Sequence, residues 1–306
     1  MAIAAGLNPR SHRSITLQAT APTMPPPFIA TAPPDVLQWV AALSERPVPL
    51  LRRTVHALDD FRDNEDAVDA HLMAQTLGTD PLFVLRLLQH VAQLRPGHSG
   101  SQAETVTEAL VLLGITPFFR AFGAPLPIAE LWLETQAQAH ASLQGLVTRA
   151  QRAARLAMGM ALQRQDHDAT VIHQATLLHD LPQMLLCLQA PDLAQQLRLD
   201  ADGVGGNESE AEIAALHHEV LNVSLPALRL ALAQHWRLPG LLVQSCDPAL
   251  AHLNQVRNVH LALRLARLSS QQGWGHPALD EPLAATAHLL GLSASQALDL
   301  LTDLDS

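Results

Sequence analysis

The residues best equipped for chemistry are His179 and Asp180, adjacent in the run Ala175-Thr176-Leu177-Leu178-His179-Asp180-Leu181-Pro182. An imidazole nitrogen and a carboxylate oxygen both ligate divalent cations, and a well-coordinated ion turns bound water into a nucleophile for hydrolysis. Two ligands are too few to hold such an ion, so the pair asks for more His, Asp or Glu. His217-His218-Glu219 is one supply, although adjacent residues on a helix project about 100 degrees apart and rarely chelate one ion together. If a metal binds, His217 is the ligand expected beside His179 and Asp180. The other reading of the pair is structural: a helix end where His179 bonds late carbonyls and Asp180 bonds locally ahead of Pro182.

Arg149, Arg152 and Arg155 recur every third residue. They read either as a stripe for an acidic partner or a phosphate, or as a solvated helix face paired with nearby acids. Gly203-Val204-Gly205-Gly206 follows no strand pattern and has no lysine to serve it, so it reads as a loop and not as a phosphate cradle. No strand–turn–helix elbow presents a serine nucleophile. Cys187 and Cys246 are in no metal-ligand spacing and read as free buried thiols of a reducing compartment. Trp236 reads as packed beneath a helix end, with an interface anchor as the alternative.

Composition closes several function classes. All 19 basic residues are Arg, so lysine-dependent P-loop, Schiff-base and kinase chemistry is absent. A formal charge of -10 argues against nonspecific nucleic-acid binding, which needs a basic surface. No apolar stretch is long enough to span a bilayer, and the N-terminus lacks the apolar core of a secretory signal. The expected setting is cytoplasmic, with neither nucleic acid nor membrane as partner.

The elements that must position these residues read as helix after helix. The chain is rich in Leu and Ala and has no Tyr, which favours helix over strand. Residues 1–34 are rich in Pro, Ala and Thr and predict a disordered tail. Asp35 predicts a cap for a helix through Trp39 and Leu43. Pro49 suits a first turn ahead of Leu50, and Asn64 precedes a helix that Gly78 ends. Thr79-Asp80-Pro81 starts another. Thr105 with Glu108 is a capping box, as are Ser209 with Glu212 and Ser293 with Gln296. One long helical stretch is predicted from Ala129 to Gln163, and Val171–Asp180 is the helix that bears the pair. Further helices fall at Leu225–Trp236, Leu241–Val243, Val256–Leu268 and Leu283–Leu290. The predicted fold is all-α.

The order of several motifs resembles the HDOD family, the HD-related output domain of bacterial signalling proteins. Residues 47–62 look like its opening "LPxLP" helix. Thr79-Asp80-Pro81-Leu82 with Leu85, Leu87 and Leu88 looks like its "DPxLxxxLLxxxN" helix. Glu108-Ala109-Leu110-Val111-Leu112-Leu113-Gly114 is close to its "AIxxLG". Ala175–Asp180 resembles "aGLLHD", and Trp236-Arg237-Leu238-Pro239 resembles "WxLP". The resemblance spans about residues 46–265. It implies an N-terminal helical bundle over residues 35–127 packed with an HD-like bundle over 128–306.

The resemblance also says where HD metal ligands belong, and the chain departs there. The upstream His aligns with Gly145, with His140 a little over one turn away. The Gly-Lys after the pair is Pro182-Gln183. The His eleven residues before Trp236 falls at Leu225, the "HH" at Ala249-Leu250, and the late Asp at Leu263. Leucine cannot ligate a metal. The resemblance with this departure implies a non-catalytic signalling protein that works by protein–protein contact, with no cofactor and with partners among signalling proteins. Two alternatives stay open: a residual metal-dependent phosphohydrolase or cyclic-nucleotide phosphodiesterase, and a regulatory ligand pocket without chemistry.

Overall fold

A computed structural model of the chain describes residues 25–94, 103–123, 125–197 and 210–305. The Gly203–Gly206 loop, Ser209 and the first 24 residues of the expected tail lie outside these. The fold is all-α, and the capping chemistry read from the sequence sets many of its helix starts. In α1 (Val36–Ser44) the Asp35 carboxylate accepts from the Gln38 amide at 2.8 Å. The α2 helix (Arg52–Asp63) ends at Asn64, and the expected helix start there gives way to a 3₁₀ turn at Glu65–Ala67. Val68 is extended, and the Asp69 carboxylate starts α3 (Ala70–Leu77) by accepting from the Leu72 amide. Asp80 starts α4 (Pro81–Leu94), and Thr105 caps α5 (Val106–Leu113). The α6 helix (Ile115–Phe122), unmarked in the sequence reading, follows at once and stacks Phe118 against Phe122 with centroids 4.8 Å apart.

The long stretch predicted from Ala129 is two helices, α7 (Ala129–Trp132) and α8 (Ala137–Gln163). The cause is a tie to the N-terminal part. Leu50 and Ile128 form an isolated parallel bridge, the Ala129 amide donates to the Leu50 carbonyl at 2.8 Å, and the Glu130 carboxylate takes the Arg52 amide at the start of α2. The chain then turns through Leu133–Gln136 before α8 sets off into the core.

The α8 helix is the axis of the second part. Around it lie α9 (Ala169–Leu177), α10 (Leu181–Gln189) and α11 (Pro191–Gln196). Next come α12 (Glu210–Leu221), α13 (Leu225–His235), α14 (Gly240–Gln244) and α15 (Asn254–Gln272). The chain finishes with α16 (Asp280–Leu290) and α17 (Ala294–Asp305); the Ser293–Gln296 capping box opens the latter, each residue taking the other's amide. Trp39, Leu43, Phe83, Phe118, Leu185 and Leu265 are fully buried in one continuous apolar core. A buried side chain of this size stabilises by about 2 kcal/mol. The two parts share that core, since α1 packs on α13 and the Trp39 indole donates to the Leu221 carbonyl at 2.8 Å.

One further departure from the sequence reading concerns the N-terminal end. Residues 25–34, assigned to the tail, lie against the body. Ile29 is buried, and its amide donates to the Gln189 carbonyl at 2.7 Å. An extended proline-rich strip has unspent carbonyls, and those of Pro27 and Pro33 accept from Arg46 and Asn222. At the other end, α17 lies on α8 where Gly159 has no side chain; a Cβ there would sit 2.2 Å from a Leu304 methyl.

Candidate functional site

His179 and Asp180 stand just past the helix predicted to carry them. The α9 helix ends at Leu177 and α10 begins at Leu181, with Pro182 in its first turn, where a missing amide costs nothing. Asp180 occupies the N-cap position of α10, yet its side chain caps no amide. Its Oδ1 faces His179 Nδ1 at 3.1 Å, with Gln183 Nε2 at 3.5 Å, and its Oδ2 lies 3.6 Å from Arg149 Nη2. The three side chains His179, Asp180 and Arg149 are only 12–14% exposed.

Two residues that the sequence reading did not single out complete the cluster. Arg229, on α13, donates from Nε to the His179 carbonyl at 2.6 Å. His260, on α15, has its ring centroid 6.3 Å from that of His179, and its Nε2 is 3.0 Å from the Ser245 carbonyl. A signal for Arg229 was present. It lies four residues after Leu225, where the family pattern expects a His, and so shares that helix face. His260 lies three residues before Leu263, where the late Asp is expected, and again shares a face.

The electrostatics fit a pair held by arginine. Burial pushes His179 down to about 4, and the Arg229 charge adds to this against the pull of Asp180. Its imidazole is therefore neutral near pH 7 and donates from Nδ1 to the carboxylate. Burial alone opposes ionisation of Asp180. The His179 hydrogen bond and the charges of Arg149 and Arg229 outweigh it and hold the carboxyl well below the usual carboxylate range.

A divalent ion does not fit this donor set. His179 keeps one lone pair, on Nε2, while both Asp180 oxygens face side-chain partners, one of them a cation. Leu225 is buried and Gly145 has no side chain to offer. Among the described residues no group of three or more His, Cys, Asp or Glu is placed to hold a metal ion, so His217 does not join His179 and Asp180 in one. His217 sits on α12 with Nε2 buried and unpartnered.

The three arginines of the predicted stripe serve different neighbours. Arg149 turns to Asp180. Arg152 donates from Nε to Asp305 Oδ1 at 2.5 Å, pairs with Oδ2, reaches the Ala266 carbonyl at 3.0 Å and lies 5.7 Å over the Trp274 ring. Arg155 is exposed. Cys187 is buried and Cys246 partly so, and both are free thiols; burial pushes Cys187 up to about 12. Trp236 is buried at the end of α13.

A helical HD-like bundle with its His–Asp pair tied to arginine is the class that fold and site define. The family follows from direct comparison: the HDOD domain matches residues 48–250, well over half of the chain, and the chain belongs to that family, whose domains are generally non-catalytic signalling domains. Among solved structures, the MmoQ response regulator from Methylococcus capsulatus str. Bath is similar at 22% identity and a TM-score of 0.62, over 84% of this chain and 98% of that one. A virulence factor from Campylobacter jejuni subsp. jejuni is similar at 14% identity and a TM-score of 0.61, over 89% and 98%. At these identities the likeness concerns the fold. No curated protein matches the chain. Among the described residues no helix is long and apolar enough to cross a membrane.

Proposed function

We propose that this protein is a non-catalytic HDOD regulator that acts by binding another signalling protein. The observation that carries the reading is the neutralisation of Asp180 by arginine. The HD reaction needs a dication beside the His–Asp pair to activate water. Here the guanidinium of Arg149 stands against the carboxylate, Arg229 bonds the His179 backbone, and Leu225 and Leu263 replace donors. The pair ties three segments together: the α9–α10 junction, α8 and α13. Its work on this reading is to hold the bundle in the shape a partner recognises. The similarity in fold to the MmoQ response regulator is in keeping with a signalling role.

The test is metal binding followed by hydrolysis. Purified protein incubated with excess Mn²⁺ and desalted is expected to retain no stoichiometric metal and to leave cyclic dinucleotides and phosphodiester substrates intact. One bound metal per chain, lost in both His179→Ala and Asp180→Ala, would overturn the reading and return the protein to the phosphohydrolases.

A further inference from the structure

The α4 helix is buried along most of its length, through Leu82, Phe83, Val84, Leu85, Leu87 and Leu88. Arg86 and His90 interrupt that surface one turn apart, so they share a face. Arg86 donates from Nη1 to the Val48 carbonyl at 3.0 Å, and its guanidinium carbon lies 5.8 Å from the Phe122 ring centroid. The His90 ring stands edge-on to the same Phe122, centroids 5.7 Å apart. Three segments thus meet at one notch: α4, the strap around Val48 and the end of α6.

The charge in this notch is unbalanced. Arg62, Arg149, Arg152, Arg164 and Arg264 each have a carboxylate partner. Among the described residues Arg86 has none, and one carbonyl uses one of its five N–H donors. Neither ring nitrogen of His90 has a hydrogen-bond partner among those residues. Burial pushes Arg86 down to about 10 and lowers His90 as well, with the Arg86 charge adding to the latter. A partly buried cation without a counter-ion is costly, and a charge-assisted pair with an oxyanion relieves that cost.

We propose that Arg86 and His90 form a binding site for a single oxyanion, a carboxylate or a phosphate, seated beside the Phe122 ring. The guanidinium supplies the charge and a second N–H, the imidazole supplies a further donor, and the aromatic ring walls off water on one side. The site is independent of His179 and Asp180, so its failure leaves the proposed function untouched.

The full chain is titrated with inorganic phosphate, acetate and chloride at matched ionic strength, and the imidazole resonances of His90, assigned with His90→Asn, are followed by NMR. The expected result is a saturable shift with phosphate or acetate, a dissociation constant on the order of millimolar, and no such shift with chloride. His90→Asn weakens binding by about fivefold or more, read from the Phe122 ring resonances, and Arg86→Gln abolishes it. Tighter binding of acetate assigns the site to a carboxylate of a partner, and tighter binding of phosphate to a phosphorylated ligand. Equal, non-saturating shifts with all three anions overturn the proposal. So does a folded Arg86→Gln that binds as the parent does. If Arg86→Gln does not fold, the saturation of the parent protein and its weakening in His90→Asn decide the matter.

Discussion

Asp80 and Asp180 hold the same place in two different helices, each at an N-cap with a proline in the first turn behind it. They do different work. Asp80 is 1% exposed and spends its carboxylate on backbone: Oδ1 accepts from the Leu82 amide at 2.8 Å and the Phe83 amide at 3.3 Å, and Oδ2 accepts from the Leu51 amide at 3.3 Å. A bond from Thr54 completes the set, all of it opposing the rise that burial imposes on this carboxyl. Asp180 spends its carboxylate on side chains. One aspartate ties backbone at the starts of two helices; the other joins three segments through charge. The local pattern of Asp with Pro one or two residues on is thus blind to the function of the residue, which depends on what the rest of the fold brings near.

The comparison is sharpest at Asp80. Asp80→Ala leaves buried amides of two helices without an acceptor and is expected to cost about 3 kcal/mol by chemical denaturation. Asp80→Asn keeps a carbonyl that can cap and recovers part of the loss. A cost under about 1 kcal/mol for the alanine variant breaks the distinction. At Asp180 the order changes. Asp180→Ala is expected to cost about 2 kcal/mol because the Asp180 carboxylate that faces Arg149 and Arg229 is removed, and Asp180→Asn should be nearly as harmful. A benign Asp180→Asn would mean that capping, not charge, is its task.

A pH series separates the two further. His179 has a native pKa of about 4, below its ordinary 6.5, so the unfolded chain takes up the proton first. The stability it contributes is present above about pH 6.5 and is lost as pH falls toward 4, by up to about 3 kcal/mol. His179→Asn should flatten that part of the stability curve relative to the parent. His173, also buried and held at about 4, contributes the same slope to both proteins and cancels in the difference. Asp180, with its carboxyl held low, keeps its contribution through this window and loses it only as acidification continues below the ordinary carboxylate range. The smallest effect belongs to a second arginine of α8, Arg152. Asp305→Ala removes the partner of Arg152 and of the Trp274 indole, which donates to it at 2.9 Å. It should cost about 1 kcal/mol and shift the Trp274 emission.

The sequence announced helix starts better than helix partners. Asp35, Asp80, Thr105 and Ser293 could be read because a cap is written within four residues. The α10 helix escaped because Leu181–Gln189 is apolar nearly all round and shows no periodic face, and α6 escaped because Pro117 interrupts its pattern. The break before α8 escaped because its cause, the bond from Ala129 to Leu50, spans 79 residues. At the site, Arg149 and Asp180 were both in view, each read apart from the other. Arg229 carries no mark in a metal-ligand pattern, because a cation does not ligate a metal. The apolar residues at the expected ligand positions were legible from the outset, and they agree with the arginine-held pair that the structure displays.

The contact of Leu304 with Gly159 has a consequence for the limits of the molecule. The HDOD match ends at residue 250, whereas the seat of the last helix is cut into α8, some 90 residues before that boundary. A methyl group at position 159 would have to push Leu304 aside and loosen α17 from the bundle. The span that folds as a unit therefore extends past the matched module, and a truncation placed at the family border would leave a vacant, greasy slot along α8.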